Sequence, residues 1–134
     1  MILKTILAIL AAFAVNLLVV GAAEWGLSLA FPPPPGANLG DPIQLEAFMN
    51  SMPIQAYLGL VAGWATGAFG ASAAAYFIAE RKVWAAFLGA AINLLGVLVT
   101  VATIPHPLWV TAIGLIAPLM AAAAIPRLGG SAAV

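Results

Sequence analysis

One stretch of this sequence carries a small residue at every fourth position within an otherwise apolar run. The members of this small-residue row are Gly59, Gly63, Gly67, Ala71, Ala75 and Ala79. Residues four apart lie on one face of an α-helix, so this face has almost no side chains. Interior glycines cost a helix about 1 kcal/mol each in water, whereas an unpaired backbone group costs several kcal/mol in lipid. The row therefore predicts a membrane-spanning helix whose smooth face lets neighbouring helices approach closely.

The composition supports a membrane location for the whole chain. Hydrophobic residues make up 65% of the sequence and charged residues 6%, whereas soluble domains carry about 25% charged residues. A chain so poor in charge cannot cover a surface that faces water. Its 134 residues allow four spans of about 20 residues with short links. We expect one membrane domain and no soluble catalytic domain.

Proline clusters and charged residues divide the chain into four predicted spans. These are residues 2–30, 53–79, 83–104 and 108–125. In the outer loop, residues 31–52, the four prolines Pro32 to Pro35 cannot continue a helix. Asp41 followed by Pro42 is typical of a helix start, and apolar residues at helical spacing follow. Residues 42–51 are thus expected to form a short amphipathic helix on the membrane surface or over the mouth of an all-α four-helix bundle.

The basic residues set the expected orientation. They are Lys4, Arg81, Lys82 and Arg127. With four spans they all fall on one side of the membrane, and cytoplasmic segments are the ones rich in Lys and Arg. Both termini are therefore predicted to be cytoplasmic, with the outer loop on the opposite side.

Polar side chains within the predicted spans include Asn16, Thr66, Ser72, Asn93, Thr100 and Thr103, and Trp64 also lies mid-span. Asn16 lies twelve residues after Lys4, and Asn93 lies eleven residues after Lys82, which is roughly 17 Å along each helix. The two amides should therefore lie at one level, where a hydrogen bond between them would contribute about 0.6 to 2 kcal/mol. A substrate or ion site formed by the same pair remains an alternative. Trp64 is expected to pack between helices or to face lipid.

Glu24 and His106 are the remaining candidate functional residues. Glu24 lies twenty residues after Lys4, about 30 Å along the helix, which predicts a position near the outer water boundary. His106 has the near-neutral pKa of a pH switch or metal ligand. A metal site needs several ligands, however, and the spacing of Glu24, Asp41 and Glu46 gives no sign that they converge on His106. We expect a turn residue, with no metal and no cofactor.

Several function classes are disfavoured by the sequence. It has no cysteine, which excludes disulfides, thiol chemistry and metal sites with cysteine ligands. Its formal net charge is zero and its four basic residues are scattered, so no nucleic-acid partner is expected. The sequence contains no nucleophile elbow, zinc-protease motif or phosphate-binding loop. We therefore expect no enzymatic activity.

Two proline motifs carry a resemblance to known proteins. The segment from Phe31 to Gly36, together with Ile104 to Trp109, resembles a group of small, uncharacterised bacterial proteins with four membrane spans. The resemblance implies the four-span fold and a bacterial inner (plasma) membrane, and it implies no activity.

These observations favour a structural or accessory membrane protein. The span with the small-residue row would pack within the bundle, or it would pack with another copy or another membrane subunit. The alternative is a small oligomeric transporter or channel, with Asn16, Asn93 and Glu24 along its path.

Overall fold

The computed structural model describes residues 2–130, which form five α-helices and no strand. The helices are α1 (Ile2–Ala30), α2 (Pro42–Ser51), α3 (Ile54–Ile78), α4 (Val83–Thr103) and α5 (Leu108–Gly129). All except α2 are long and apolar enough to cross a membrane. The predicted all-helical fold with four such helices is confirmed.

The four long helices alternate in direction. Lys4 at the start of α1 forms an ion pair with Glu80, just after α3. At the same end, the Tyr76 hydroxyl donates a hydrogen bond to the Gly130 carbonyl at 2.8 Å, which fixes the C-terminus of α5 against α3. We call this end of the bundle the basic end, because Arg81, Lys82 and Arg127 also lie there. The opposite end, with Pro32 to Pro35 and the link from α4 to α5, is the proline end.

Helix α3 is the centre of the bundle. It packs against α1, α4 and α5, whereas α1 and α5 do not approach each other within residues 2–130. Helix α1 buries only Ala8 and Ala12, and its leucine, isoleucine and phenylalanine side chains are mostly exposed. The bundle is therefore open on the side between α1 and α5.

The small-residue row lies inside the bundle. A Cβ atom added at Gly63 would lie 2.5 Å from the Ala23 Cβ, and one added at Gly59 would lie 2.8 Å from a Leu27 methyl group. These approaches are far below van der Waals contact, so only glycine allows α1 to lie so close to α3.

Further along the row the neighbouring helix changes. A Cβ atom added at Gly89 of α4 would collide with the Ala71 carbonyl. Ala75 belongs to an alanine cluster with residues of α1 and α4. The row thus packs against two helices of its own chain.

Helix α2 lies on the bundle at the proline end. The Asp41 carboxylate accepts a hydrogen bond from the Ile43 backbone N–H at 2.9 Å and caps the helix. Met49 is buried against α3, and the Tyr57 hydroxyl donates a 2.6 Å hydrogen bond to its carbonyl oxygen. The apolar side of α2 thus packs on the bundle, and its position relative to the membrane surface stays a prediction.

The tight link from α3 to α4 bends through two left-handed residues. Glu80 has φ 57° and Arg81 has φ 63°, which places both in a region that favours glycine. The Arg81 N–H donates to the Tyr76 carbonyl at 2.8 Å, and the Glu80 N–H donates to the Phe77 carbonyl at 3.2 Å. These two bonds form a Schellman motif that ends α3. A hydrogen bond from Lys4 lowers the pKa of the exposed Glu80 carboxyl group.

Helix α5 continues beyond its predicted end. The sequence predicted a stop at Ile125, because Pro126 follows, yet the helix passes through both Pro118 and Pro126 to Gly129. Proline is tolerated within membrane helices because neighbouring groups and local adjustment satisfy the carbonyl that it leaves unpaired.

Candidate functional site

The two mid-span asparagines are in direct contact. The Asn93 amide nitrogen donates to Asn16 Oδ1 at 2.7 Å and also lies 3.2 Å from the Trp64 carbonyl oxygen. Asn93 is 1% exposed, and its own Oδ1 has no hydrogen-bond partner. Gly67 makes room for the pair, because a Cβ atom there would lie 3.2 Å from both amide groups. The pair therefore joins α1 to α4 across the surface of α3.

Trp64 links the asparagine pair to a second polar cluster. Its indole N–H donates to Glu24 Oε1 at 3.3 Å, and its ring lies 5.6 Å from the His106 ring, centroid to centroid. The side chain is 2% exposed. It fits closely against α5, because a Cβ atom at Gly114 would lie 2.7 Å from the indole ring. Trp64 thus packs between helices, one of its two predicted positions.

His106 lies in the link between α4 and α5 and folds back over the bundle. Its Nδ1 atom lies 2.7 Å from the Ile104 carbonyl oxygen. Because a carbonyl only accepts, Nδ1 carries the hydrogen. Burial lowers the pKa of His106, while the bond to Ile104 and the nearby Glu24 carboxylate act in the opposite direction.

Glu24 and His106 lie near each other, which the sequence did not predict. The spacing gave no sign of convergence, yet both side chains line one cavity with Trp64 beside them. Asp41 and Glu46 do not take part, since Asp41 caps α2 and Glu46 is exposed on it. Within residues 2–130, no group of three or more potential metal ligands is found.

Glu24 lies within the length of the bundle. It follows Asn16 by eight residues, about 12 Å along α1, and it contacts Trp64 well inside α3. Half of a hydrocarbon core measures about 15 Å. Since Asn93 is the middle residue of α4, Glu24 lies about 12 Å from that level towards the proline end, where its side chain is exposed; its position near the outer water boundary stays a prediction.

Two cavities meet at Glu24. The larger, of about 320 Å³, lies at the proline end, between α1, α2, α3 and α4. Its lining is mainly apolar and includes Leu27, Phe31, Phe48, Met49, Met52 and Leu60. The smaller, of about 110 Å³, is a crevice between α1 and α4 that reaches down to Asn16 and Asn93. Glu24 and Thr100 line both cavities.

The structure explains why this crevice exists. Helices α1 and α4 both pack against α3, and at the level of Glu24 and Thr100 the Trp64 side chain of α3 lies between them. At Gly96, on the α4 wall of the crevice, an added Cβ atom would meet nothing within 4 Å.

The charges on the two ends of the bundle are opposite in sign. The proline end carries the carboxylates Glu24, Asp41 and Glu46, whereas all four Lys and Arg residues of the sequence belong to the basic end. Glu24 therefore has no Lys or Arg partner, and its neighbours are an indole N–H and a half-buried imidazole.

No family model, curated protein or solved structure matches the chain. The resemblance carried by the two proline motifs stays a prediction, and any function has to be argued from the side chains.

Sequence reasoning included Thr100 among the polar residues of the spans and missed two participants in the site, Tyr57 and Gly114. One signal could have indicated the last of them, because Gly114 and the single mid-span tryptophan are the kind of small and large pair that packs together in a helical core.

Proposed function

We propose that this chain is a structural or accessory subunit of a membrane assembly, with both termini cytoplasmic in a bacterial inner membrane. The observation that carries the proposal is the position of α1. This helix has 29 residues and a length of about 43 Å, more than the roughly 30 Å of a hydrocarbon core. It buries only two alanines. A span of this length is accommodated by tilting, and the cost of the mismatch also drives some helix–helix association.

The polar side chains of the spans support a structural role. Asn16 and Asn93 bond to each other, and Thr66, Thr100 and Thr103 donate to carbonyls of their own helices. Such bonds hold helices together or satisfy single side chains. The small-residue row, which we expected to pack within the bundle or against another subunit, contacts α1 and α4 of the same chain. We therefore assign the partner to the outward face of α1 instead.

Purification from the native membrane in a mild detergent tests this proposal. We expect a stable companion in a fixed ratio, either another membrane protein or a second copy. Replacing Leu10, Phe13 and Leu17 by Ala should release it, because these side chains are exposed on α1.

A matched control uses the outward face of α5. Replacing Ile116, Leu119 and Met120 by Ala changes side chains that are equally exposed and should leave the companion bound. A monomer without a companion in every mild detergent would overturn the proposal, as would equal loss of the companion in both triple variants.

The crevice favours a second candidate, a small transporter or channel. It is lined by Asn16, Asn93 and Glu24 along one groove, and Asn93 Oδ1 is buried without a hydrogen-bond partner. Proteoliposomes containing the protein would then pass rubidium ions faster than empty liposomes, and Asn93→Leu would reduce this flux without loss of helix content. Equal flux with and without protein would exclude the candidate for this ion.

A further inference from the structure

We propose that the larger cavity binds an amphipathic organic cation, with its charged group at the Glu24 carboxylate and its apolar part among the side chains of α1, α2 and α3. This inference is independent of the accessory role and concerns a different surface.

The charge of the ligand follows from the walls of the cavity. Glu24 is the only carboxylate among the lining residues, and no Lys or Arg lines the cavity. One Glu24 oxygen accepts the Trp64 indole hydrogen bond, and a carboxylate has about four acceptor sites. Most of its acceptor capacity therefore remains for a ligand. An anion would meet this carboxylate without any compensating Lys or Arg.

The wider surroundings favour a cation as well. Asp41 and Glu46 lie at the same end of the bundle, and every Lys and Arg residue lies at the other. Charges of one sign near a cavity raise the local concentration of counter-ions. The rings of Phe31, Phe48 and Tyr57 also line the cavity, and aromatic faces attract organic cations.

The apolar part of the ligand follows from size and lining. A cavity of about 320 Å³ falls at the lower end of the range for small-molecule sites. Met49 and Met52 contribute flexible, polarisable side chains that adapt to ligands of different shape. The predicted ligand is thus a compact apolar group joined to an ammonium or similar cation.

A charge series on one apolar group tests the proposal. The probes are 4-phenylbutyl-trimethylammonium, 4-phenylbutanol and 4-phenylbutyrate, added to the full chain in phosphatidylcholine nanodiscs and compared with empty nanodiscs. Calorimetry and the summed fluorescence of the four tryptophans report binding, because one of these indoles, that of Trp64, contacts Glu24 directly. We expect the cation to bind most tightly, the alcohol more weakly and the anion least.

Variants of Glu24 separate recognition of the charge from filling of the cavity. Glu24→Gln should weaken cation binding by about 10- to 100-fold, the usual effect of losing a charged hydrogen-bonding partner, and should leave alcohol binding nearly unchanged. Glu24→Asp keeps the charge and should keep the preference for the cation. Glu46→Gln is the matched control, because Glu46 is exposed on α2 and does not line the cavity.

Two results would overturn the proposal. One is equal affinity for the cation and the alcohol, which would indicate a site for neutral apolar molecules or lipid chains. The other is unchanged cation binding in Glu24→Gln. If Glu24→Gln fails to fold, Glu24→Asp and the charge series on the unaltered protein still decide the matter, because a cation site requires the charged probe to bind best in both.

Discussion

The two halves of the bundle are packed with side chains of different size. Towards the basic end, the core is an alanine cluster contributed by α1, α3 and α4. Towards the proline end, it contains Met49, Tyr57, Val61, Trp64, Val97 and Val110. Small side chains let helix backbones approach closely. In the proline half α1 still lies close to α3 at Gly59 and Gly63, but large side chains such as Trp64 separate α1 from α4, and the two cavities that meet at Glu24 lie there.

This difference shows how one short chain can combine rigidity with a recessed surface. In the basic half the contacts approach backbone to backbone, as at Gly89 and Ala71, so the helices have little freedom. In the proline half the separation between α1 and α4 depends on a few bulky groups, Trp64 above all. Removal of bulky side chains should therefore disrupt the proline half in particular, whereas added volume should disrupt the basic half and also the close contacts of α3 at Gly59 and Gly63.

Removing the largest buried side chain should have the largest effect. Trp64→Ala is expected to lower the free energy of unfolding by about 3 to 5 kcal/mol, the usual cost of deleting a large buried aromatic residue. Denaturation by SDS, followed by circular dichroism, measures it. Trp25→Ala is the control, since Trp25 is 68% exposed. Similar losses in the two variants would mean that Trp64 does not hold the proline half together.

Adding one methyl group should damage the basic half. Gly89→Ala is expected to cost about 1 to 3 kcal/mol, because the new Cβ atom would collide with the Ala71 carbonyl. Gly96→Ala lies on the same helix, where a Cβ atom has open space, and should be neutral or slightly stabilising. The same SDS titration compares them, and equal stability of the two variants would contradict the close approach.

The asparagine pair lies between the halves and should show a measurable coupling. Asn16→Leu, Asn93→Leu and the double variant form a double-mutant cycle, with an expected coupling energy of about 0.6 to 2 kcal/mol. Asn93→Leu should cost more than Asn16→Leu, because Asn93 also bonds to the Trp64 carbonyl. Additive effects would show that the hydrogen bond contributes nothing to stability. Unchanged assembly with loss of ion flux would instead favour the transport alternative.

The smallest effect concerns pH and the proline end. Burial lowers the pKa of His106 in the folded state, so the unfolded state takes up this proton at a higher pH. The contribution of neutral His106 to the free energy of unfolding therefore has its full value at pH above the unfolded pKa of about 6.5. This contribution decreases as the pH falls below that value. We expect a lower Tm at pH 5.5 than at pH 8.

Two variants test whether His106 causes this change in Tm. His106→Gln should flatten the dependence between pH 8 and pH 5.5. Glu80→Gln should not, because the pKa of Glu80 is lowered below 4.5 and its contribution is lost at lower pH. A Tm that rises on acidification would contradict the burial of the imidazole.

Features that follow helix geometry could be predicted from the sequence. The four-residue spacing of the small-residue row correctly indicated a face that admits other helices, and counting from Lys4 and Lys82 brought Asn16 and Asn93 to one level. His106 could not be placed in this way, because a link between helices has no fixed rise and its ring folds back onto Trp64. The passage of α5 through Pro126 was also hidden, since the same residue ends most helices in water.

The missing contact between α1 and α5 has a consequence for how the protein is made. Helix α1 leaves the ribosome before its neighbours α3 and α4, which follow only after the outer loop and α2. During synthesis α1 therefore lies in the membrane without α3 and α4, its two contact partners. Its few polar side chains make this possible. Severing the chain within the outer loop should accordingly yield two pieces that insert separately and recombine, with α1 joining a three-helix remainder already in place.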